Sequence, residues 1–282
     1  MQIWLNIIIF IVLFLVIFSL LTFYMSLHPQ KIITDLNPSD LGLKYEEVIF
    51  KSTDGIKLSG WFISNKKTKA AIIVMHGYPA DKANLLDIAY FLAKDFNVFL
   101  FDFRSFGRSE GSYTTAGALE KNDLLGAIEY LDKEKSITKV GLYGFSLGGA
   151  VALMANNSNV KAIVTDSAYA RLSDIVKHMY SIFFIFKYFL AYLTKLYGVL
   201  FLKINIDDIN PVDNIKSVKA PILLIHSEKD SQIPVEEAYL LHDAKKNSEL
   251  WIVDGADHGM IHSLNPEEYK KRVIGFFKEN LK

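Results

Sequence analysis

The sequence predicts an α/β protein: a mainly parallel sheet with helices on both faces, preceded by an apolar segment. Three observations carry this prediction. Beyond Lys69 the apolar residues cluster in six short continuous runs, AAIIVMH, NVFLFD, KVGLYG, VKAIVTD, APILLIH and ELWIVD. Helix-length segments separate the runs, and strands covered on both faces read as unbroken apolar stretches rather than alternating ones. Finally, residues 3–25 carry no charged side chain.

A chain of 282 residues holds one large domain with appendages. Its 31 basic and 31 acidic side chains cancel, and no long run of one sign follows the first thirty residues, which argues against a nucleic-acid partner. Cysteine is absent, which excludes disulfides, thiolate catalysis and sulfur-ligated metals together.

Residues 1–28 are expected to form a transmembrane anchor. At about 1.5 Å per residue, residues 3–25 span roughly 34 Å as a helix, enough to cross a bilayer core. Trp4 and Tyr24 stand near the two ends, where interfacial aromatics belong. The segment lacks a basic leader, its apolar run is too long, and SLHPQK is a poor cleavage site, so an uncleaved anchor is favoured over a signal peptide. Lys31 and Lys44 follow the span and none precedes it, a thin sign for a domain on the inner side.

Residues 29–43, with Pro38 and Gly42, read as a linker, and residues 44–282 as the domain. YEEVIFKS and IKLSGWFIS, joined through TDG, predict an antiparallel edge hairpin. Helices are expected over 84–94, 116–133, 147–156, 235–246 and 266–280. Residues 171–210 break the alternation. Rich in Phe and Tyr and interrupted by Lys187 and Lys195, they predict a helical cap over the strand ends, its apolar surface available to a pocket or to the membrane. A second span is disfavoured because a central lysine is costly in lipid.

In open α/β sheets chemistry gathers at the carboxyl ends of strands. There GFSLG places Ser146 between the end of one strand and the start of a helix, with Gly144 and Gly148 removing Cβ clashes from a tight turn. A serine needs a base, itself oriented by an acid. His258 in DGADHGM follows the last strand, on the same edge as Ser146; His28, His178 and His242 have poorer access. Asp230 in HSEKDSQIP lies just past the preceding strand, with Glu228 and Asp257 as competitors. The turn in VMHGYPAD lets Gly77 present a backbone N–H, so the amides of Tyr78 and Leu147 are the expected oxyanion donors. His76 is expected in a supporting role, with holding the turn and direct catalysis both open. His258 and His262 stand four apart without the glutamate of a zinc motif or a convincing third ligand, so no metal is expected. No cofactor is expected either. Asp102, Arg104 and Arg108 read more readily as a structural ion-pair cluster than as an anion site.

The motifs HGYPAD, FDFRSFGRSEG, GFSLGG, SEKDSQIP and DHGM, in this order over about residues 44–280, resemble those of the α/β-hydrolase superfamily, in particular its membrane-anchored Bem46/ABHD13/ABHD17-like group, which is variously serine peptidase-like or esterase-like. The resemblance implies nucleophile Ser146, acid Asp230, base His258 and an oxyanion loop at Gly77 and Tyr78. Relatives commonly carry glycine at the positions of Ser105 and Ser227, which puts loop shape and substrate fit in question. The expected activity is hydrolysis of an ester or thioester, with a small-molecule or acylated substrate; the membrane is a partner through the anchor and the cap. An amide or peptide hydrolase and a non-catalytic tethered binding module are the alternatives.

Overall fold

The computed structural model describes residues 1–281. Its strands are β1 (Glu46–Lys51), β2 (Lys57–Ile63), β3 (Ala70–Met75), β4 (Asn97–Phe101), β5 (Lys139–Phe145), β6 (Val160–Asp166), β7 (Ile222–Ser227) and β8 (Glu249–Val253). They form one sheet in the order β1-β2-β4-β3-β5-β6-β7-β8. β1 pairs with β2 and β2 with β4 antiparallel, and every other neighbouring pair is parallel.

The continuous apolar runs are explained by burial on both sides. Along β3, Ile73 and Met75 enter one core while Ile72 and Val74 enter the other; along β5, Val140 and Leu142 oppose Tyr143 in the same way. Successive strand side chains point to opposite faces, so a sheet covered twice requires an apolar residue at every position.

The helices are α1 (Gln2–Leu27), α2 (Leu86–Leu92), α3 (Glu120–Lys135), α4 (Leu147–Met154), α5 (Leu172–Met179), α6 (Phe186–Tyr197), α7 (Pro211–Asn214), α8 (Glu236–Ala244), α9 (Ile261–Leu264) and α10 (Pro266–Asn280). Four helix boundaries differ from those expected. α2 begins at Leu86, because residues 82–85 form a 3-10 turn capped by Asp81, whose side chain accepts from the Ala83 amide. α3 begins at Glu120 rather than 116. The Glu120 carboxylate accepts from both threonine hydroxyls of Thr114 and Thr115 and from the amides of Thr115 and Gly117, holding a bonded loop in which Ala116 and Gly117 have φ of 50° and 122°. α4 ends at Met154, where Ala155 turns extended, and α8 covers Glu236–Ala244 only.

Helix α1 has 26 residues and is long and apolar enough to cross a membrane. Residues 1–14 are exposed on every side, whereas from Leu15 onward one face is covered, with Leu15, Ser19 and Phe23 buried. The cover is the segment expected as a cap. Phe18 packs on Phe183 and Phe23 on Tyr197, with centroids 5.1 and 5.6 Å apart; Thr22 Oγ1 meets the Tyr180 hydroxyl at 2.8 Å and Ser19 Oγ meets that of Tyr197 at 3.2 Å. α5 and α6 are short, and the chain bends by 94° between 186–202 and 206–217, so no straight spanning helix forms there. The expected linker is docked along the domain: Lys31 Nζ donates to Ser109 O at 2.6 Å, and the Thr34 amide and hydroxyl bond Asp81.

Arg104 lies buried between Asp123 and Asp54, with Nη2 2.6 Å from Asp123 and 2.7 Å from Asp54. Burial pushes the Asp123 carboxyl up to about 7, and Arg104 offsets only part of that rise. Arg104→Met leaves the fully buried Asp123 without its cation and is expected to cost about 3–5 kcal/mol, read as a fall in the urea midpoint at unchanged slope; a loss within the range of ordinary surface substitutions contradicts the structural role.

Candidate active site

The site begins with a close approach of backbones. A Cβ at Gly144 would lie 2.3 Å from Gly148 O, and one at Gly148 would lie 2.4 Å from Met75 O. Only glycine lets α4 start directly against β5 and β3. The turn between them forces Ser146 to φ 51° and ψ −111°, a conformation unfavourable for a side-chain-bearing residue. Two backbone bonds hold it there: the Ser146 amide donates to Asp166 O at 2.8 Å, and Ser146 O accepts from the Ala150 amide at 3.1 Å. The side chain lines a cavity and forms no hydrogen bond to another described residue.

Asp230 and His258 reach this end of the sheet on the loops after β7 and β8. His258 Nδ1 lies 2.7 Å from Asp230 Oδ2. A carboxylate only accepts, so Nδ1 carries the proton and Nε2 keeps its lone pair. The His258 ring packs on Phe145, the residue before Ser146, at 4.9 Å between centroids. No hydrogen bond joins Ser146 to His258 among the described residues; such bonds commonly tighten only with substrate present. Burial acts to raise the Asp230 carboxyl, but the His258 N–H and the amides of Ile233 and Gln232 outweigh it and hold it below the ordinary range.

The competing carboxylates sit elsewhere. Glu228 is exposed, and Asp257 Oδ1 accepts from the amides of Ser231 and His258, tying the two loops together. Ser227 ties them too, its hydroxyl donating to Ala256 O at 2.5 Å. Ser105, the other position where a glycine was expected, takes φ 69° and donates to Tyr113 O at 2.7 Å. Both serines therefore shape loops.

Gly77 lies against the elbow, where an added Cβ would stand 3.2 Å from Ser146 Cβ. Tyr78 and Leu147 line the same cavity as Ser146, and the amides of neither donate to another described group. His76 is buried; its Nε2 accepts from the Phe103 amide and its Nδ1 donates to Gly77 O at 2.7 Å. Burial lowers its pKa, so it stays neutral and braces the turn. Asp102 is caged by Lys82 Nζ at 2.6 Å and by the amides of Lys82 and Arg108, which makes it part of the framework. His262 pairs with Asp87 at 2.7 Å, away from His258, and no cluster of three metal-ligating side chains occurs among the described residues.

Two roles were not assigned from the sequence, although Asp166 stands at a strand end where chemistry is expected to gather. Asp166 is buried beside the elbow and accepts from Tyr269, itself bonded to Tyr143. Burial holds this carboxyl above its usual range despite the donors on it. The second is α1 itself: Phe23, Ser26 and Leu27 line the cavity, which has a volume of about 560 Å³ and otherwise takes its walls largely from the cap. Neither carries a motif, because each acts through position alone.

The sheet order, the strained serine elbow and the acid and histidine loops define an α/β-hydrolase. Residues 86–282 match the prolyl oligopeptidase family, and the chain belongs to it. It is similar to the uncharacterized protein YqkD of Bacillus subtilis, 26% identical over 81% of this chain and 77% of that one. It is also similar to protein bem46 of Schizosaccharomyces pombe, 25% identical over 72% of this chain and 67% of the other, which supports a Bem46-like grouping. Among solved structures, the Pyrococcus furiosus esterase Pf2001 superposes with a TM-score of 0.76 at 30% identity, covering 90% of this chain and all of that one. Esterase-like and peptidase-like kinship makes this chain a hydrolase.

Gly148→Ala is expected to destabilise the protein by roughly 1–3 kcal/mol through overpacking against Met75, whereas Gly275→Ala, with nothing within 4 Å of the new methyl, is expected to be neutral or stabilising. Paired urea denaturation curves check the contrast; equal effects at both positions contradict the packing account.

Proposed function

We propose that the protein is a membrane-anchored serine hydrolase that cleaves carboxylic esters or thioesters through an acyl-enzyme. The observation that carries this reading is the strained Ser146, facing an apolar cavity at the sheet end where Asp230 fixes the proton of His258 on Nδ1. In the first step Ser146 Oγ adds to the substrate carbonyl while His258 Nε2 takes the hydroxyl proton. The negative charge that develops on the carbonyl oxygen is received by the Tyr78 and Leu147 amides, each such donor contributing about 3–4 kcal/mol to the transition state. Collapse expels the alkoxide or thiolate, which takes the proton from His258. Water then adds to the acyl-serine and gives a proton to the same nitrogen; collapse breaks the bond to Ser146 Oγ, which takes that proton back from His258 as the carboxylic acid leaves. Asp230 stays ionised throughout and stabilises the imidazolium that forms in each half.

The cavity favours an acyl group over a peptide. Of its lining, Leu172, Ile175, Val176, Met179 and Ile206 are aliphatic or thioether side chains that offer no partner to a peptide backbone. Membership of the prolyl oligopeptidase family supports the second reading, an amide or peptide hydrolase using the same groups. Relative turnover of aminoacyl amides and acyl esters separates the two. Helix α1 supplies the anchor in this reading, since a 26-residue apolar helix with a bare first half needs lipid around it.

Purified full-length protein is expected to react with a fluorophosphonate probe, and Ser146→Ala to abolish the labelling; no labelling of the wild type, or equal labelling of the variant, would sink the proposal. Asp230→Asn is expected to reduce ester turnover by roughly 10³–10⁴-fold, while Glu228→Gln leaves it unchanged. Equal losses in steady-state rate would reassign the acid.

A further inference from the structure

Helix α1 contributes to the cavity above Ser146 as well as leading into the domain. Its last two turns present Phe23, Ser26 and Leu27 to the space that Tyr78, Ser146 and Leu147 face from below. The cap covers the remaining side through Val176, Met179 and Tyr180. Removing α1 would therefore open one wall of the pocket. The contact is fixed by polar as well as apolar groups: Thr22 Oγ1, the Tyr180 hydroxyl and Thr194 Oγ1 form a chain of 2.8 and 3.1 Å, and the Thr114 amide donates to Leu27 O at 2.8 Å.

The same packing sets the depth of the cap. Residues 1–14 are exposed on every side. At about 1.5 Å per residue they supply roughly 21 Å of free helix, short of the ~30 Å of a bilayer core by about 9 Å. A spanning α1 must therefore carry roughly six residues of its packed half into the core. Leu15, Phe18 and Ser19 lie in that stretch, and they are covered by the cap residues Leu190, Phe183 and Tyr197. A spanning α1 would thereby draw the cap into the bilayer's edge beside the helix. The cap's surface agrees: Ile182, Phe184 and Ile185 are 75%, 82% and 77% exposed, and Leu200 and Phe201 are also bare. Lys187 and Lys203 limit the immersion to a depth from which their ammonium groups still reach water.

Resting on the hydrolase reading above, we propose that α1 is a wall of the substrate pocket and that the pocket receives the acyl chain of an ester dissolved in the bilayer, the chain lying against Phe23 and Leu27. A volume of about 560 Å³ lies within the range of small-molecule sites, and its apolar walls offer a chain the same surroundings as the lipid it leaves. Little hydrophobic cost then opposes transfer out of the membrane.

The test uses full-length protein in phosphatidylcholine vesicles with p-nitrophenyl acetate and p-nitrophenyl laurate. Leu27→Trp and Ser26→Leu add bulk to the wall from the α1 side, and Ile11→Trp adds bulk to the bare half of the same helix. The laurate-to-acetate ratio of kcat/KM is expected to fall by about tenfold or more in the two wall variants, the scale on which apolar pockets discriminate, and to hold in Ile11→Trp. An unchanged ratio in both wall variants, or an equal fall in Ile11→Trp, overturns the proposal. Fluorophosphonate labelling of Ser146 verifies that each variant is folded. A readout independent of turnover is photolabelling of Ser146→Ala with a diazirine-bearing long-chain ester in the vesicles. Label in residues 22–31 is expected, and label confined to the cap and strand-end loops overturns the wall even where hydrolysis is seen. If the wild type cleaves neither ester while residues 22–31 are labelled, the hydrolase reading falls and the wall stands.

Discussion

The contact between α4 and the strands below it, through Gly144 and Gly148, is the constraint on which the candidate site depends. A carbonyl oxygen stands within 2.4 Å of where either Cβ would be, so the helix start sits in the sheet rather than above it. That closeness leaves Ser146 only a left-handed turn, and the backbone bond to Asp166 keeps it there. Strain at one residue of order 1–3 kcal/mol persists because two packed elements over-determine the geometry. The result is a hydroxyl lining the cavity with its backbone fixed. His258 and Asp230 stand on two loops laced together by Ser227 and Asp257.

Much of this was legible in the sequence. The parallel sheet followed from apolar runs at AAIIVM and KVGLYG, because burial on both faces leaves a composition signal that alternation does not. The edge hairpin followed from TDG, and the pairing of Glu46 with Phe62 bears it out. Ser146, Asp230 and His258 were picked from their places at strand ends, and the structure brings Asp230 and His258 into contact at that end. The start of α3 was not legible, since nothing local says that the Glu120 carboxylate will gather four donors and delay the helix. Nor was the role of Asp166, whose burial and bond to Tyr269 depend on residues a hundred positions apart.

The apolar N-terminal segment illustrates the same division. Composition identifies a helix that can span a bilayer, and the structure bears out that helix. Composition is silent on how the two halves of the helix differ. Residues 1–14 face outward on every side, while the polar side chains Ser19 and Thr22 meet the tyrosines of the cap. A segment that reads as a separate tether is thereby joined to the domain, and the docked linker, bonded through Lys31 and Thr34, leaves little freedom between them.

Covalent catalysis requires that a substrate carbonyl become bonded to Ser146. Rapid mixing of the full-length protein with a p-nitrophenyl ester, followed by acid quench and peptide mass analysis, measures this directly. A burst of nitrophenol close to one equivalent per protein is expected, with the acyl mass on the peptide containing Ser146. Turnover without a burst and without acylated peptide, or acyl mass on another residue, would contradict it.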